Sequence, residues 1–447
     1  MNSLGFPTLD ATLERAIGLC QPHVARSLDR ALSGHDLSVD EATTLFEARG
    51  MDLHVLALAA DALRREQVGD VVTYVVNRNI NFTNVCVKRC GFCAFSRDYR
   101  DGEGYFLPAS EIVRRAKEAW DLGATEVCVQ AGLPPRMPGW LYVDLCRAIT
   151  TAVPGMHVHG FSPEEVLYGS RRARVSIREY LEALKDAGVG SLPGTSAEIL
   201  DDRLRQRISP GRIKVARWLE VIKTAHRVGI PTTSTIMYGH VETARQRAAH
   251  LALLRDVQRE TGGITEFVPL AFVHSEAPMF AKHFVDGVAA GPSGDAIVAM
   301  YAVSRLMLGR DIPNLQVSWV KQGVQLAQHL LSAGANDFGG TLINESISTA
   351  AGAGHGQLVR PGELRRLIRD AGRLPAERTT TYDIRRTFHE EPAEPDPLDT
   401  IDAVEAERFG SYQQLVKMDA FRFGDAQPNG YQPPAAGVPV ALQLARE

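Results

Sequence analysis

The sequence predicts a closed barrel of eight parallel strands and eight helices, a (β/α)8 fold of the TIM type. From about residue 71 onward, short β-branched runs alternate with amphipathic helical stretches. This alternation is typical of parallel strands joined by helical crossovers, and eight repeats favour a closed barrel over an open doubly wound sheet. The predicted strands are Ile80–Asn84, Glu126–Ala131, His157–Phe161, Gly190–Gly194, Thr232–Tyr238, Thr265–Phe272, Leu315–Val320 and Asp337–Leu342.

Helix signals stand between these strands and before them. Ser176 and Glu179 form a capping box that opens one crossover helix, and Gly188 follows its end. Val39–Arg49 and Leu53–Arg65 carry apolar residues at helical spacing, which predicts two helices ahead of the barrel.

The chain is divided by these patterns into three parts. We expect an N-terminal helical segment at 1–70, a barrel at 71–375 and a C-terminal extension at 376–447. Within the extension, residues 389–407 contain eight acids and no Lys or Arg, and 427–440 contain four prolines. Composition of this kind predicts a poorly packed, partly disordered tail.

Overall composition is that of an ordinary globular protein, with 45% hydrophobic and 23% charged residues. The net charge of −4 excludes a global basic field for nucleic acid or an anionic membrane. No stretch approaches the ~20 apolar residues needed to span a bilayer, and no secretory signal pattern opens the chain. We therefore expect a cytoplasmic protein that binds neither nucleic acid nor membrane.

Half of the six cysteines form a tight group directly after a predicted strand. Cys86, Cys90 and Cys93 have the spacing C-x3-C-x2-C. Thiolates are soft ligands, and three on one short loop can hold a 4Fe-4S cluster while leaving one iron open. S-adenosylmethionine (SAM) can occupy that iron, and reductive cleavage of its sulfonium yields methionine and a 5′-deoxyadenosyl radical. The loop therefore predicts a radical SAM enzyme.

Other interpretations of the cysteines are less favoured. A structural zinc site takes four closed ligands, and no second Cys or His pair follows at a matching interval. A third possibility is a non-enzymatic protein in which the cysteines only stabilise a loop. Cys20, Cys128 and Cys146 lie in apolar helix or strand patterns, where a free cysteine behaves as a small buried hydrophobe.

The predicted strands end in polar, glycine-rich segments, at the side of a barrel where reactive groups gather. The segments are Gln130–Gly132, His159–Ser162, Pro193–Glu198, Tyr238–Glu242 and Asn336–Thr341. Glycines let the backbone approach a ligand closely, and Glu and Ser oxygens can accept from an ammonium or a ribose. Glu198 can instead cap the helix that follows, and His157 or His159 can be a hydrogen-bonded core histidine.

Several stretches of the sequence resemble the CofH-type half of FO synthase. They are TYVVNRNINFTN (73–84), SLPGTSAEILDD (191–202), TTSTIMYGH (232–240), EFVPL (266–270) and GANDFGGT (334–341). The resemblance runs through about residues 35–387.

The resemblance implies a transferase of deazaflavin biosynthesis, on the route to coenzyme F-420. Such enzymes join the 4-hydroxybenzyl part of L-tyrosine to 5-amino-6-(D-ribitylamino)uracil. The adenosyl radical would remove hydrogen from the tyrosine amine, and Cα–Cβ cleavage would release 2-iminoacetate. The 4-hydroxybenzyl radical would then add to C5 of the pyrimidine.

The alternative within this group is the aminofutalosine synthase of menaquinone biosynthesis. It shares the cysteine loop and the Tyr-Gly-His strand end. It usually has a second Gly where Thr195 stands, and an Asn-Ala-Thr type strand where Thr233–Thr235 stands. Both positions favour the deazaflavin assignment.

The resemblance also implies site residues and partners. Cys86, Cys90 and Cys93 would be the cluster ligands, Phe92 would pack near the SAM adenine, and Gly132, Glu198 and Glu242 would contact SAM. Bifunctional FO synthases carry two radical SAM modules, whereas this chain has one cysteine group. A separate CofG-type radical SAM subunit is therefore implied, together with an electron donor such as ferredoxin or flavodoxin.

Overall fold

The computed structural model describes residues 9–402, 407 and 409–424. Its strands are β1 (Val71–Val75), β2 (Asn77–Ile80), β3 (Glu126–Val129), β4 (His157–His159), β5 (Val189–Ser191), β6 (Thr232–Tyr238), β7 (Ile264–Ala271), β8 (Asp337–Gly340), β9 (Leu374–Arg378) and β10 (Ile384–Thr387). Its α-helices are α1 (Leu9–Ile17), α2 (Pro22–Leu32), α3 (Val39–Phe46), α4 (Met51–Val68), α5 (Ala109–Asp121), α6 (Leu141–Ala152), α7 (Pro163–Ala173), α8 (Ile177–Asp186), α9 (Asp202–Ile208), α10 (Val215–Arg227), α11 (Ala244–Thr261), α12 (Pro278–Ala281), α13 (Gly294–Leu308), α14 (Trp319–Gln322), α15 (Val324–Leu330), α16 (Ile347–Ala350), α17 (Pro361–Asp370) and α18 (Tyr412–Leu415).

The barrel strands form a ring of parallel neighbours. β2, β3, β4 and β5 make one parallel sheet, and β6 pairs with β7 in another. Single parallel bridges continue the ring by pairing Leu192 with Thr232, Phe267 with Leu315, and Gln316 with Asp337. β8 then pairs with β1, whose chain continues into β2. The predicted α/β barrel is confirmed, with its seventh strand reduced to Leu315 and Gln316.

The first strand lies earlier in the chain than predicted. It occupies β1 and β2, Val71 to Ile80, rather than Ile80–Asn84. After Ile80 the backbone leaves the sheet because Asn84 binds the loop beyond the cysteines, its Nδ2 donating to Glu103 O at 3.0 Å.

The seventh strand is shorter than the predicted Leu315–Val320. The backbone turns at Ser318, whose carbonyl accepts from Lys321 N at 3.0 Å, and Trp319–Gln322 is helical as α14. Most other predicted strands also end before their last predicted residues, because the glycine-rich ends turn into loops.

The N-terminal helices pack on the outer layer of the barrel. α3 lies against α11 and α13, and α4 also packs on α13. A capping box between Ser38 and Glu41 opens α3, which ends at Phe46 rather than at Arg49. α4 extends beyond the predicted helix at both ends. Among the described residues, none of the helices combines the length and the apolar character that crossing a bilayer requires.

The C-terminal extension is packed against the barrel wherever it is described. β9 pairs parallel to β1 and β10 antiparallel to β9, so the predicted boundary at 375 falls inside β9. Acidic side chains after residue 388 form ion pairs with a cation on the barrel. Arg365 pairs with Glu391 at 2.9 Å and with Asp399 at 3.3 Å. The apolar residues between and after them are buried, namely Leu398, Ile401, Phe409, Tyr412 and Leu415. The expectation of a poorly packed tail is therefore corrected for this part, and 427–440 lie outside the described residues.

A C-terminal strap, residues 409–424, covers the loop that follows the third cysteine. The Tyr412 ring packs on Phe95 with centroids 5.5 Å apart, and Asn84 Nδ2 donates to its hydroxyl at 3.4 Å. Phe106 N donates to Phe421 O at 2.8 Å. The strap thus ties the extension to the cysteine region.

We expect removal of the strap to destabilise that region. A chain ending after Asp402 would expose buried Phe95 and Tyr105, which costs about 1.5–3 kcal/mol for each aromatic side chain. Thermal unfolding should begin at lower temperature, and limited proteolysis should cut faster within 96–104. A chain ending after Gly424 keeps the strap and should behave as the full-length protein. Equal melting and equal cutting of the two shortened chains would contradict the prediction.

The turn between β9 and β10 closes the N-terminal end of the barrel. Asp337 and Glu266 stand near the starts of β8 and β7, and both are buried. Arg378 Nη2 donates to Asp337 Oδ1 at 3.1 Å and lies 3.5 Å from Glu266 Oε2. Its guanidinium carbon is 4.0 Å from the centroid of the Tyr382 ring, and the Tyr382 hydroxyl donates to Glu266. These four residues are called the floor below.

Candidate active site

The three cysteines of the loop line a single cavity of about 240 Å³, together with residues that follow several barrel strands. Neighbouring segments hold the middle of the loop in place. Gly91 N donates to Ile208 O and Met279 N donates to Gly91 O, both at 2.7 Å. The predicted ligands therefore meet three of the five polar strand ends, Gln130–Gly132, His159–Ser162 and Pro193–Glu198, at the C-terminal side of the barrel, whereas no residue of Tyr238–Glu242 or Asn336–Thr341 lines the cavity.

The arrangement of the thiols suits a cluster better than a single ion. Within the part of the chain that the structure describes, no three His, Cys, Asp or Glu side chains are grouped closely enough to hold one metal ion. Zinc holds thiolates at ~2.3 Å from one centre. A cubane cluster takes each thiolate on a different iron, so its ligands stand farther apart. Three thiols on one cavity wall therefore fit a 4Fe-4S cluster.

The loop sulfurs are poorly solvated. Burial raises the pKa of the Cys90 thiol to about 12 and also raises the pKa of Cys86. Arg212 Nη1 lies 3.5 Å from Cys90 Sγ, and its positive charge opposes the rise at Cys90. Iron would favour the thiolate form, because a metal ion deprotonates the thiols that it binds.

Phe92 and Gly132, two of the predicted SAM contacts, lie on the cavity wall. A Cβ atom on Gly132 would stand 2.3 Å from Val85 O, so only glycine fits against the chain that leads into the loop. The Phe92 ring packs beside Arg212, whose guanidinium carbon is 5.7 Å from the ring centroid. Both residues therefore shape the space next to the cysteines.

Glu198 lies on the same wall and is fixed by two arginines. Its Oε1 is 3.1 Å from Arg212 Nη2, and its Oε2 is 3.1 Å from Arg205 Nη1. Ser196 and Glu198 have φ angles of 63° and 43°, a left-handed conformation that is uncommon for non-glycine residues. The alternative role of Glu198 as a helix cap is wrong, because Asp201 caps α9.

Comparison with known proteins places this cavity in a family. A model described as "Radical SAM superfamily" matches residues 80–254, and one described as "CofH/MqnC C-terminal region" matches 261–391. The chain is 49% identical over 347 residues to the 5-amino-6-(D-ribitylamino)uracil--L-tyrosine 4-hydroxyphenyl transferase of Methanothermobacter thermautotrophicus. That match covers 77% of this chain and 94% of the relative. The chain belongs to the CofH family of radical SAM enzymes.

A longer relative agrees with membership of the CofH family, and a solved structure agrees with the fold. The chain is 48% identical over 347 residues to the FO synthase of Streptomyces coelicolor, which covers 77% of this chain and 40% of that protein. The fold is similar to that of the FeFe-hydrogenase maturase HydG from Carboxydothermus hydrogenoformans. That similarity has a TM-score of 0.62 at 16% identity and covers 84% of each chain.

Glu242, the remaining SAM contact implied by the resemblance to the CofH family, does not line the cavity. Its buried carboxylate accepts from Gly239 N at 2.6 Å and from His240 N at 2.9 Å. Arg247 Nη2 lies 2.6 Å from the same group. The side chain therefore shapes the turn after β6, and this placement argues against direct contact with SAM.

Five charged residues on the cavity wall are not singled out by the sequence patterns: Lys88, Glu164, Glu165, Arg212 and Lys321. Lys88 Nζ pairs with Glu164 Oε1 at 3.2 Å. Glu165 accepts from Ala131 N at 3.0 Å and from Ser162 N at 2.8 Å, and burial raises its pKa to about 7. The Ser-Pro-Glu-Glu run after β4 is a signal that could have found the two glutamates. Arg212 and Lys321 carry no such local signal.

The interior of the barrel is polar below the cavity. His157 Nε2 and His159 Nδ1 each lie 2.7 Å from Ser191 Oγ, so both are hydrogen-bonded core histidines. Burial lowers the pKa of His159 to about 4 and keeps its ring neutral.

The cysteines outside the loop occupy different surroundings. Cys20 and Cys146 are buried, as the sequence predicts for small apolar side chains. Cys128 is instead partly accessible and shares its side of β3 with Glu126 and Gln130, whereas Val127 and Val129 on the other side are buried. The expectation of an apolar setting for Cys128 is corrected, because alternate residues of a strand face opposite sides.

Proposed function

We propose that this protein joins the 4-hydroxybenzyl group of L-tyrosine to 5-amino-6-(D-ribitylamino)uracil. The other products are 2-iminoacetate, methionine and 5′-deoxyadenosine, and the adduct enters biosynthesis of the deazaflavin FO and coenzyme F-420. The observation that carries the proposal is the 49% identity to the methanogen transferase over 94% of that enzyme.

The cavity supports a 4Fe-4S cluster and SAM as the cofactors. Cys86, Cys90 and Cys93 would hold the cluster, and its open iron would take SAM. When bound, the two supply the 5′-deoxyadenosyl radical that starts the reaction. Phe92 and Glu198 line the same cavity and would contact SAM. Gly132 would contact it too, whereas Glu242 is left out because it is committed to a turn.

The chain's own side chains divide the remaining space by polarity. Leu270, Phe272 and Ile347 line the cavity and would take the aromatic ring of tyrosine while excluding water. Gln130 lines the cavity on the side that faces the polar barrel interior around His159. Hydroxyls of the ribityl chain require such donors and acceptors, so we assign the pyrimidine to this side.

Three further elements complete the proposal. A CofG-type radical SAM partner would close the deazaflavin ring. A reduced carrier such as ferredoxin or flavodoxin would deliver the electron. The enzyme would work in the reducing cytoplasm, where free thiols persist.

The decisive experiment follows isotopes through an anaerobic assay with SAM, reductant, tyrosine and the ribityl-pyrimidine. Tyrosine labelled in its ring should place the label in a pyrimidine adduct detected by mass spectrometry. Tyrosine labelled in its carboxyl group should instead release the label as 2-iminoacetate or its hydrolysis product glyoxylate. Cleavage of Cα–Cβ requires this opposite partition of the two labels.

Reactions lacking tyrosine or the pyrimidine are the controls. The proposal is overturned if SAM cleavage does not depend on tyrosine and ring label never reaches the pyrimidine. Another reaction of the superfamily, such as that of aminofutalosine synthase, would then be favoured. Fold alone does not fix the substrate of a barrel.

A further inference from the structure

Lys321 is a cation on the cavity wall that forms no close ion pair with a carboxylate of the described residues. It lies in α14, directly after the seventh barrel strand, and its Nζ donates to Ser348 Oγ at 3.0 Å. No carboxylate of the described residues lies within ion-pairing distance of its ammonium group. Glu345 attracts it through space, but both Glu345 oxygens accept from Ser348 N, at 2.9 and 3.0 Å.

The other two cations on this wall are already paired. Lys88 has Glu164 at 3.2 Å and Arg212 has Glu198 at 3.1 Å. The Lys321 side chain is half-buried, and the part of it that is accessible faces the cavity. The surrounding protein still desolvates its ammonium group, which lowers its pKa. An ammonium has three donors, and one of them is used here. A poorly solvated cation with free donors is stabilised when a ligand brings a negative charge.

The surroundings of Lys321 suit one end of an aromatic amino acid. α14 packs against β7, and Leu270 of β7 lines the cavity with Phe272 and Ile347. The Ser348 hydroxyl accepts from Lys321 and its side chain also hydrogen-bonds Glu345, so Ser348 holds the lysine in place. A cationic donor beside an apolar wall therefore matches a carboxylate joined to an aromatic ring.

We propose that Lys321, held by Ser348, binds the α-carboxylate of the amino-acid substrate. This inference rests on the proposed function and assigns a residue to its tyrosine. Anchoring the carboxylate fixes the amine and Cα, which a reaction at the amine requires. It also makes free tyrosine, rather than a peptide, the substrate. SAM carries a carboxylate as well, so the test must separate the two sources.

The test compares tyrosine with tyramine, which keeps the ring and amine but lacks the carboxylate. Binding of each is measured by calorimetry to anaerobic, cluster-containing protein loaded with SAM and not reduced, so that no turnover occurs. The wild-type protein should bind tyrosine more tightly than tyramine. In Lys321→Met the tyrosine Kd should rise about 10- to 100-fold, the range for losing a hydrogen bond between charged groups. The tyramine Kd should change by less than about 3-fold, because tyramine makes no contact with an anion site.

Two matched variants and one further measurement complete the design. Lys321→Arg keeps the charge and should retain most of the preference for tyrosine. Lys223→Met removes a lysine that pairs with Glu260 on the outer face of α10 and should leave both ligands unchanged. Iron content and circular dichroism of Lys321→Met should match the wild type. The Kd of SAM alone should stay within about 2-fold, as expected where no charged contact is lost.

Each outcome has one meaning. A Lys321→Met protein that still prefers tyrosine over tyramine overturns the inference. A SAM Kd that rises as much as the tyrosine Kd assigns the anion site to SAM and also overturns it. Failure of the wild-type protein to form a labelled pyrimidine adduct would reject the proposed function, which is a separate result from a separate assay.

Discussion

Replacing Cys90 by Ala is expected to abolish SAM cleavage and to deplete the protein of iron. Three thiols line the cavity, and a cluster that keeps one iron open for SAM has no spare ligand. Cys90 is the most buried of the three, and its sulfur lies 3.5 Å from Arg212 Nη1. The same result is expected for Cys86→Ala and Cys93→Ala. Iron and sulfide are measured after anaerobic reconstitution, and 5′-deoxyadenosine is quantified by chromatography.

Cys128→Ala is the matched control, since Cys128 lies on the neighbouring strand β3 and is not on the loop. It should keep iron, sulfide and SAM cleavage close to the wild-type values. Turnover by Cys90→Ala at the wild-type rate would sink the cluster assignment. Retention of zinc, with neither iron nor sulfide, would favour the structural-site interpretation.

Arg378→Met is expected to destabilise the folded protein by about 3–5 kcal/mol, the range measured when one partner of a buried ion pair is removed. Arg378 joins two buried carboxylates in the floor, those of Asp337 and Glu266. Thr73 Oγ1 and Gly339 N also donate to Asp337, but neither carries a charge. Methionine fills a similar volume, so the loss should come from the charge rather than from a cavity. Anaerobic urea unfolding followed by circular dichroism measures it.

Arg366→Met provides the comparison. Arg366 pairs with Asp370 at 3.0 Å on the exposed face of α17, where such a pair contributes about 0–1 kcal/mol. The double variant Arg378→Met/Asp337→Asn should regain part of the stability, because it also removes the buried negative charge of Asp337 that Arg378→Met leaves without a partner cation. A shift no larger for Arg378→Met than for Arg366→Met would show that the floor contributes little to folding.

The cysteine loop could be predicted because its information is local. Three cysteines within eight residues imply one ligand set whatever surrounds them. Gly132 and Phe92 could be predicted for a related reason. Gly132 borders a strand end, and Phe92 lies between two of the cysteines. The barrel could be predicted from the alternation of strands and helices, because the patterns that specify each element repeat along the chain.

The remaining features depend on contacts that sequence patterns do not carry. Arg212 lies 122 residues from Cys90, and only the folded position of the segment between α9 and α10 brings them together. Lys321 directly follows the predicted strand Leu315–Val320, the end of which is helical in the structure as part of α14. The acidic residues after 388 have no cation near them in the sequence. Their partner Arg365 lies on α17 and contacts them only in the folded structure. Glu242 resembled a ligand contact and instead stabilises its own turn.

The position of the floor leads us to expect an order in which molecules bind and leave. Because Arg378 and Tyr382 lie across the N-terminal end, we expect a ligand inside the barrel to arrive through the C-terminal mouth, where the cysteines also lie. The pyrimidine, assigned to the deeper polar interior, should then bind before SAM. Its adduct should depart after methionine and 5′-deoxyadenosine. A barrel with a single entrance binds and releases its ligands one after another. An excess of SAM should therefore slow binding of the pyrimidine and lower the turnover rate.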